Sequence, residues 1–245
     1  MVHNLMKTML IQRSYAGKIA RIERQIHHYG SGLNALPLLS EYRTASDPSS
    51  ATSFYNLRVG YGGNQGPLSN IDAEGFGSMS FHSFPQSLEW DPYSGDYGPN
   101  FLGHVLGAAT YLVHHQTFGW LSFGGNVVST NGGNVTVIPK DAVRQRVYVA
   151  PIGLYVTIDA GVISDMTYAS DKGTLSVRVA AQTSSGSDCG VQSIAQRALL
   201  KFEQTSLVNE TKKMALKTPG LKAERGGYVV NLTPGKAVTL EFGWC

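Results

Sequence analysis

The chain has 245 residues, of which 42% are hydrophobic and only 15% charged, with a net charge of +3. That is too apolar for a disordered chain and long enough for one large domain or two small ones. No apolar run approaches the roughly 18 residues of a membrane-spanning helix, and the lysines and arginines do not cluster as a nucleic-acid footprint requires, so neither a membrane nor a nucleic acid is expected as partner.

The N-terminal stretch Met1 to Gln12 is interrupted by Lys7 and has neither a compact apolar core nor a small-residue cleavage site, so it reads as helix rather than signal peptide. Tyr15, Ile19, Ile22, Ile26 and Tyr29 fall on one helical stripe, and Gly30 is a stop signal. A second helix is expected from Ala35 to Ala45, capped by Asn34 with Pro37 in its first turn. Asp47-Pro48 announces a third, ending near Gly62-Gly63. A long irregular loop over 64–98 follows, rich in Gly, Ser, Pro and aromatics. Pro99 opens a fourth helix with an apolar face through Leu102, Val105, Leu106, Ala109, Leu112 and Val113.

From Gly119 the period changes. Short β-branched and aromatic segments at 120–123, 134–138, 146–149, 154–158, 174–179, 227–230 and 238–242 are expected strands, punctuated by turn signals at Asn131-Gly132 and Pro234-Gly235. Ala195 to Gln204 fits either a strand or a short helix. The expected division is a helical region over 1–117 and an antiparallel β-sandwich over 118–245.

Cys189 and Cys245 are too few for a zinc site; as a disulfide they would clasp a C-terminal strand with about 4 kcal/mol, and the alternative is two unpaired thiols. Sequons at Asn134, Asn209 and Asn231 lean weakly toward secretion. His27-His28 and His114-His115, as neighbours on helices, would diverge too far to chelate, and no metal or cofactor is expected.

The run Asn100-Phe-Leu-Gly-His104 through His115, then Phe118-Gly-Trp-Leu-Ser-Phe-Gly-Gly-Asn126, resembles a family of fungal and bacterial proteins, as does Arg144-Gln-Arg-Val-Tyr-Val-Ala-Pro-Ile-Gly-Leu-Tyr-Val-Thr-Ile-Asp-Ala-Gly161. These are large secreted proteins of the DUF5695 type that look like six-hairpin glycosidases. The resemblance implies an α+β chain: the C-terminal helices of an (α/α)6 toroid followed by an antiparallel β-sandwich. It further implies that the chain is part of a longer protein whose missing N-terminal toroid would be a partner, secreted in full-length relatives although this chain shows no signal peptide.

Glycoside hydrolysis needs two carboxyl groups roughly 5 to 10 Å apart, with aromatic platforms for sugar rings. Glu89-Trp-Asp-Pro-Tyr-Ser-Gly-Asp-Tyr97 interleaves three carboxylates with three aromatics. Glu89, Asp91 and Asp96 are the candidate acid and base; Trp90, Tyr93, Tyr97 and His82 are candidate substrate contacts. The same residues also read as turn formers and core plugs. Asp159 and Asp165 read as turn residues, and Lys212, Lys213, Lys217 and Lys222 as a solvated surface. The expected function is a glycoside hydrolase-like protein acting on an oligo- or polysaccharide. The alternative is a non-catalytic carbohydrate-binding or structural module.

Overall fold

From Thr110 onward, short β-branched and aromatic runs separated by glycine fold as strands in two sheets. The computed structural model describes residues 28–65, 107–140, 145–182, 196–205 and 213–245. Among them are strands β1 Thr110–His115, β2 Gly119–Phe123, β3 Gly125–Asn131, β4 Asn134–Pro139, β5 Arg146–Val149, β6 Leu154–Ile158 and β7 Val162–Ala169. The remainder are β8 Thr174–Ala180, β9 Gln196–Gln204, β10 Met214–Leu216, β11 Lys222–Glu224, β12 Gly227–Leu232 and β13 Ala237–Trp244. One sheet has the order β11-β12-β9-β6-β5-β1-β2 and the other β10-β13-β8-β7-β4-β3. Neighbours are antiparallel except β1 and β5, which run parallel.

Inward residues of both sheets meet in one cluster. Leu112, Val149, Val156, Leu200 and Leu232 come from the first sheet, and Val137, Met166, Val177, Leu240 and Phe242 from the second. Each such side chain contributes about 1.5–3 kcal/mol by leaving water. This is the β-sandwich expected from the sequence, but it begins earlier and holds more strands. The β3–β4 hairpin turns on Gly132 and Gly133, both at positive φ (56° and 81°), as a tight two-residue loop requires. Edge strand β3 carries a bulge at Val128, a device that discourages pairing with another chain.

Two helices are described, α1 His28–Thr44 and α2 Ala51–Asn64. Neither is long and apolar enough to cross a membrane. Helix α1 starts earlier than expected, so Pro37 lies inside it. At α2 the expected cap, Asp47, instead closes a turn: its carboxylate accepts from the Ser49 N–H (2.9 Å) and hydroxyl (2.6 Å). Ser50 is the cap, its hydroxyl accepting from the Ser53 N–H at 3.2 Å. Replacing Ser50 with alanine is expected to cost about 1 kcal/mol, read as a lowered urea midpoint.

The expected α+β class, with C-terminal toroid helices before the sandwich, is overturned: the described chain is predominantly β, and no helical toroid is formed by the described residues. The helix expected to run from Pro99 through Val113 is the clearest case, because Thr110–His115 is strand β1. Tyr111, Leu112 and Val113 are buried on both faces of the sheet. A strand covered on both faces is a continuous apolar run, which mimics a buried helix. The expected helix through Tyr15 and Ile26 and the loop from 66 to 98 lie outside the described residues.

The chain divides into two compact units, one of 1–41 with 55–107, the other of 42–54 with 108–245. In the first, α1 and α2 approach at Gly60, where a Cβ would stand 3.0 Å from Leu39 Cγ. The second is the sandwich together with the short segment 42–54. Cys245 is an exposed free thiol among the described residues; Cys189, the other half of the expected clasp, lies outside them.

Candidate functional site

Glu89, Asp91, Asp96, Trp90, Tyr93, Tyr97 and His82 all lie outside the described residues. The two aspartates of the β-half are described. Asp159 sits at the end of β6 and its carboxylate accepts from the Leu199 N–H at 2.6 Å, extending the β6–β9 ladder. Asp165 is not in a turn. It lies within β7, just past a bulge, and pairs with Arg178 at 3.2 Å. Both are occupied structurally. No group of three or more His, Cys, Asp or Glu among the described residues could hold a metal ion. His114 and His115 are on a strand, where neighbours point to opposite faces.

Two features of the sandwich have the character of sites. The first is the tip of the β1–β2 hairpin. His115 pairs with Gly119, and the loop closes through Gly119 at φ 68°. The His115 Nδ1 accepts from the backbone N–H of both Thr117 (3.1 Å) and Phe118 (3.3 Å), so this side chain braces the loop. The Phe118 ring then stacks on the imidazole, with centroids 4.8 Å apart and planes at 29°. Phe54 packs against the same imidazole at 4.8 Å and edge-on to Phe123 at 5.8 Å. Phe118 is 68% exposed, so one face of a held aromatic ring is presented to solvent. A single exposed apolar side chain is ordinary; what sets Phe118 apart is that its ring is held in place, stacked on an imidazole that also braces the loop.

Behind this tip, the outer face of the first sheet is aromatic. Tyr42, Tyr111 and Tyr148 are all fully buried, and each ring meets the others edge-on. Arg43 ties them together: its Nη1 donates to the Tyr111 hydroxyl at 3.2 Å, and its guanidinium lies over the Tyr155 ring at 4.7 Å. The Arg43 carbonyl accepts from Tyr148 Oη at 3.1 Å and Thr205 Oγ1 at 2.9 Å. Burial pushes the phenols of Tyr42, Tyr111 and Tyr148 above the usual range, so they stay protonated and neutral. This cluster anchors the 42–54 segment, and therefore Phe54, to the sheet.

The second feature is a groove of about 460 Å³ at the opposite end of the same sheet. Its apolar lining is Leu221, Val229, Val230 and Val238, with Gly220 at one side. Its polar lining is Arg197 from β9, Lys222 and Glu224 from β11, and Asn231 from β12. Arg197 reaches across β12 to pair with Glu224, whose carboxyl is held below the usual range first by that hydrogen bond. The volume falls within the roughly 300–1,000 Å³ of small-molecule sites.

None of Phe118, Phe54, Arg197 or Glu224 is marked by the sequence as a site residue, and Lys222 reads there as solvated surface. The signal that is present is the His115-Gln-Thr-Phe118-Gly119 turn, a hairpin loop with an aromatic where polar residues are usual.

No curated protein and no solved structure matches the chain. The model of a family of unknown function, DUF5695, matches residues 12–240, and the chain therefore belongs to that family.

Proposed function

We propose that this chain is a carbohydrate-active protein of the extracellular space whose sandwich binds an oligo- or polysaccharide. The observation that carries this reading is the Phe118 ring, 68% exposed yet fixed on His115. A sugar ring offers an apolar C–H face, and a pre-set aromatic plane receives it at little entropic cost. Binding is favoured over hydrolysis for the groove of the sandwich, because among the described residues its lining holds one carboxylate, Glu224, already paired with Arg197. Hydrolysis requires two. If the chain also hydrolyses its ligand, Glu89, Asp91 and Asp96 are the groups to supply it.

A glycan array probed with the purified chain tests this reading, with Phe118→Ala alongside. Removing the ring is expected to weaken binding about tenfold or more, which is 1.4 kcal/mol. Stability should stay within about 0.5 kcal/mol of the parent, because the ring is mostly in water. Equal binding by the variant would remove the platform from the account. A reducing-sugar assay on the bound glycans, with a Glu89→Gln/Asp91→Asn double variant, separates binding from hydrolysis.

A further inference from the structure

We infer that the groove between β9, β11 and β12 is a second binding site, specific for a carboxylate-bearing saccharide such as a uronate oligomer. The saccharide part of this assignment rests on the proposed function; the anionic part rests on the groove alone. Arg197 and Lys222 both line it, and among the described residues Glu224 is the one opposing charge. That carboxylate is already shared, by Arg197 and, at 3.8 Å, by Arg225. Among the described residues, two lining cations and Arg225 beside the groove therefore stand against one anion, and the local excess is positive.

The backbone keeps it so. The β11–β12 hairpin turns on Arg225 and Gly226, at φ 47° and 73°. A two-residue turn of this kind normally takes Asn, Asp or Gly at its first position. An arginine there accepts a left-handed backbone, which disfavours a branched or long side chain, and places a further cation beside Glu224. Glu224 in turn fixes Arg197 across the strand, leaving Lys222 as the cation with no ion-pair partner among the described residues. A carboxylate over Lys222 and Arg197 would find charge-assisted donors, and the sugar ring would lie on Val229 and Leu221. The side-chain amide of exposed Asn231 offers donors and acceptors to ring hydroxyls.

The test is a calorimetric titration of the full chain with tri-galacturonate, its methyl ester and a sulfated neutral trisaccharide. The methyl ester keeps the shape and removes the charge. The acid is expected to bind about tenfold tighter than the ester and to weaken as salt is raised. Lys222→Gln should remove most of that difference, Lys222→Arg should restore it, and Phe118→Ala should leave it. Equal affinity for acid and ester, or an unchanged difference in Lys222→Gln, overturns the assignment. Tighter binding of the sulfated sugar than of the acid overturns the carboxylate specificity. Array glycans that bind through Phe118 while the acid does not bind would sink the groove and spare the platform. Acid binding lost in Lys222→Gln, with no neutral glycan bound by the array, would do the reverse.

Discussion

Replacing Gly161 with alanine is expected to destabilise the sandwich by about 3 kcal/mol, the sum of left-handed strain of about 1 kcal/mol and crowding of about 2 kcal/mol. At Asp159-Ala160-Gly161 the chain leaves β6 in one sheet and enters β7 in the other. The crossing is fixed on both sides: Gln145 Nε2 donates to the Gly161 carbonyl at 2.8 Å, and the Leu199 N–H donates to Asp159. Gly161 has φ 80°, and a Cβ would fall on a Leu232 methyl and on the Ala180 carbonyl. The second is backbone and cannot rotate away. Gly235 supplies the control. It has φ 74°, but nothing lies within 4 Å of where its Cβ would stand, so its alanine variant carries strain without crowding and should cost about 1 kcal/mol. Urea midpoints of the two variants give the comparison; equal losses would mean that the crossing is not closely packed.

Tyr148→Ala should cost about 4 kcal/mol, in the range for a large side chain removed from a filled core. The ring is fully buried between Tyr42, Tyr111 and Tyr155, with centroids 5.9, 5.9 and 6.3 Å away. Tyr148→Phe is much milder, about 1 kcal/mol, because the Arg43 carbonyl keeps its bond from Thr205 Oγ1 at 2.9 Å. The two variants thus divide packing from hydrogen bonding. A phenylalanine variant as damaged as the alanine one would show that the hydroxyl, and not the ring, holds the 42–54 segment.

What is legible in the sequence follows from period and exposure. Strands β4, β6 and β8 alternate cleanly, and β5, β12 and β13 are short β-branched and aromatic runs bounded by Gly, Asn or Pro, so all six are readable within a residue or two. Strand β7 hides behind its bulge. Ile163, Met166 and Tyr168 all face the core, but the extra residue between Ile163 and Asp165 spaces the first pair by three. Strand β9 is ambiguous because Leu199 sits on the outer face between Ala198 and Leu200, which blurs its alternation. Strand β1, apolar on both faces, passes for a helix. That one misreading lends support to the toroid, since it supplies the fourth helix.

The candidate site is less legible still. Hydrophobicity assigns a phenylalanine to the core by default, and only the hairpin geometry shows that Phe118 faces water. The groove depends on a long-range pair, Arg197 with Glu224, from strands that meet only through β12. Spacing along the chain carries no trace of it. By contrast, the carboxylate and aromatic content of 82–97 is conspicuous in sequence because it is local.

The most direct test of the central claim is a backbone-amide NMR titration of the labelled chain with the glycan that binds best on the array. Shift changes are expected to centre on His115, Thr117, Phe118 and Gly119, with little change along the outer face of the second sheet at Thr136, Thr167 and Ser176. Saturating binding that leaves the 115–119 amides unmoved would contradict it.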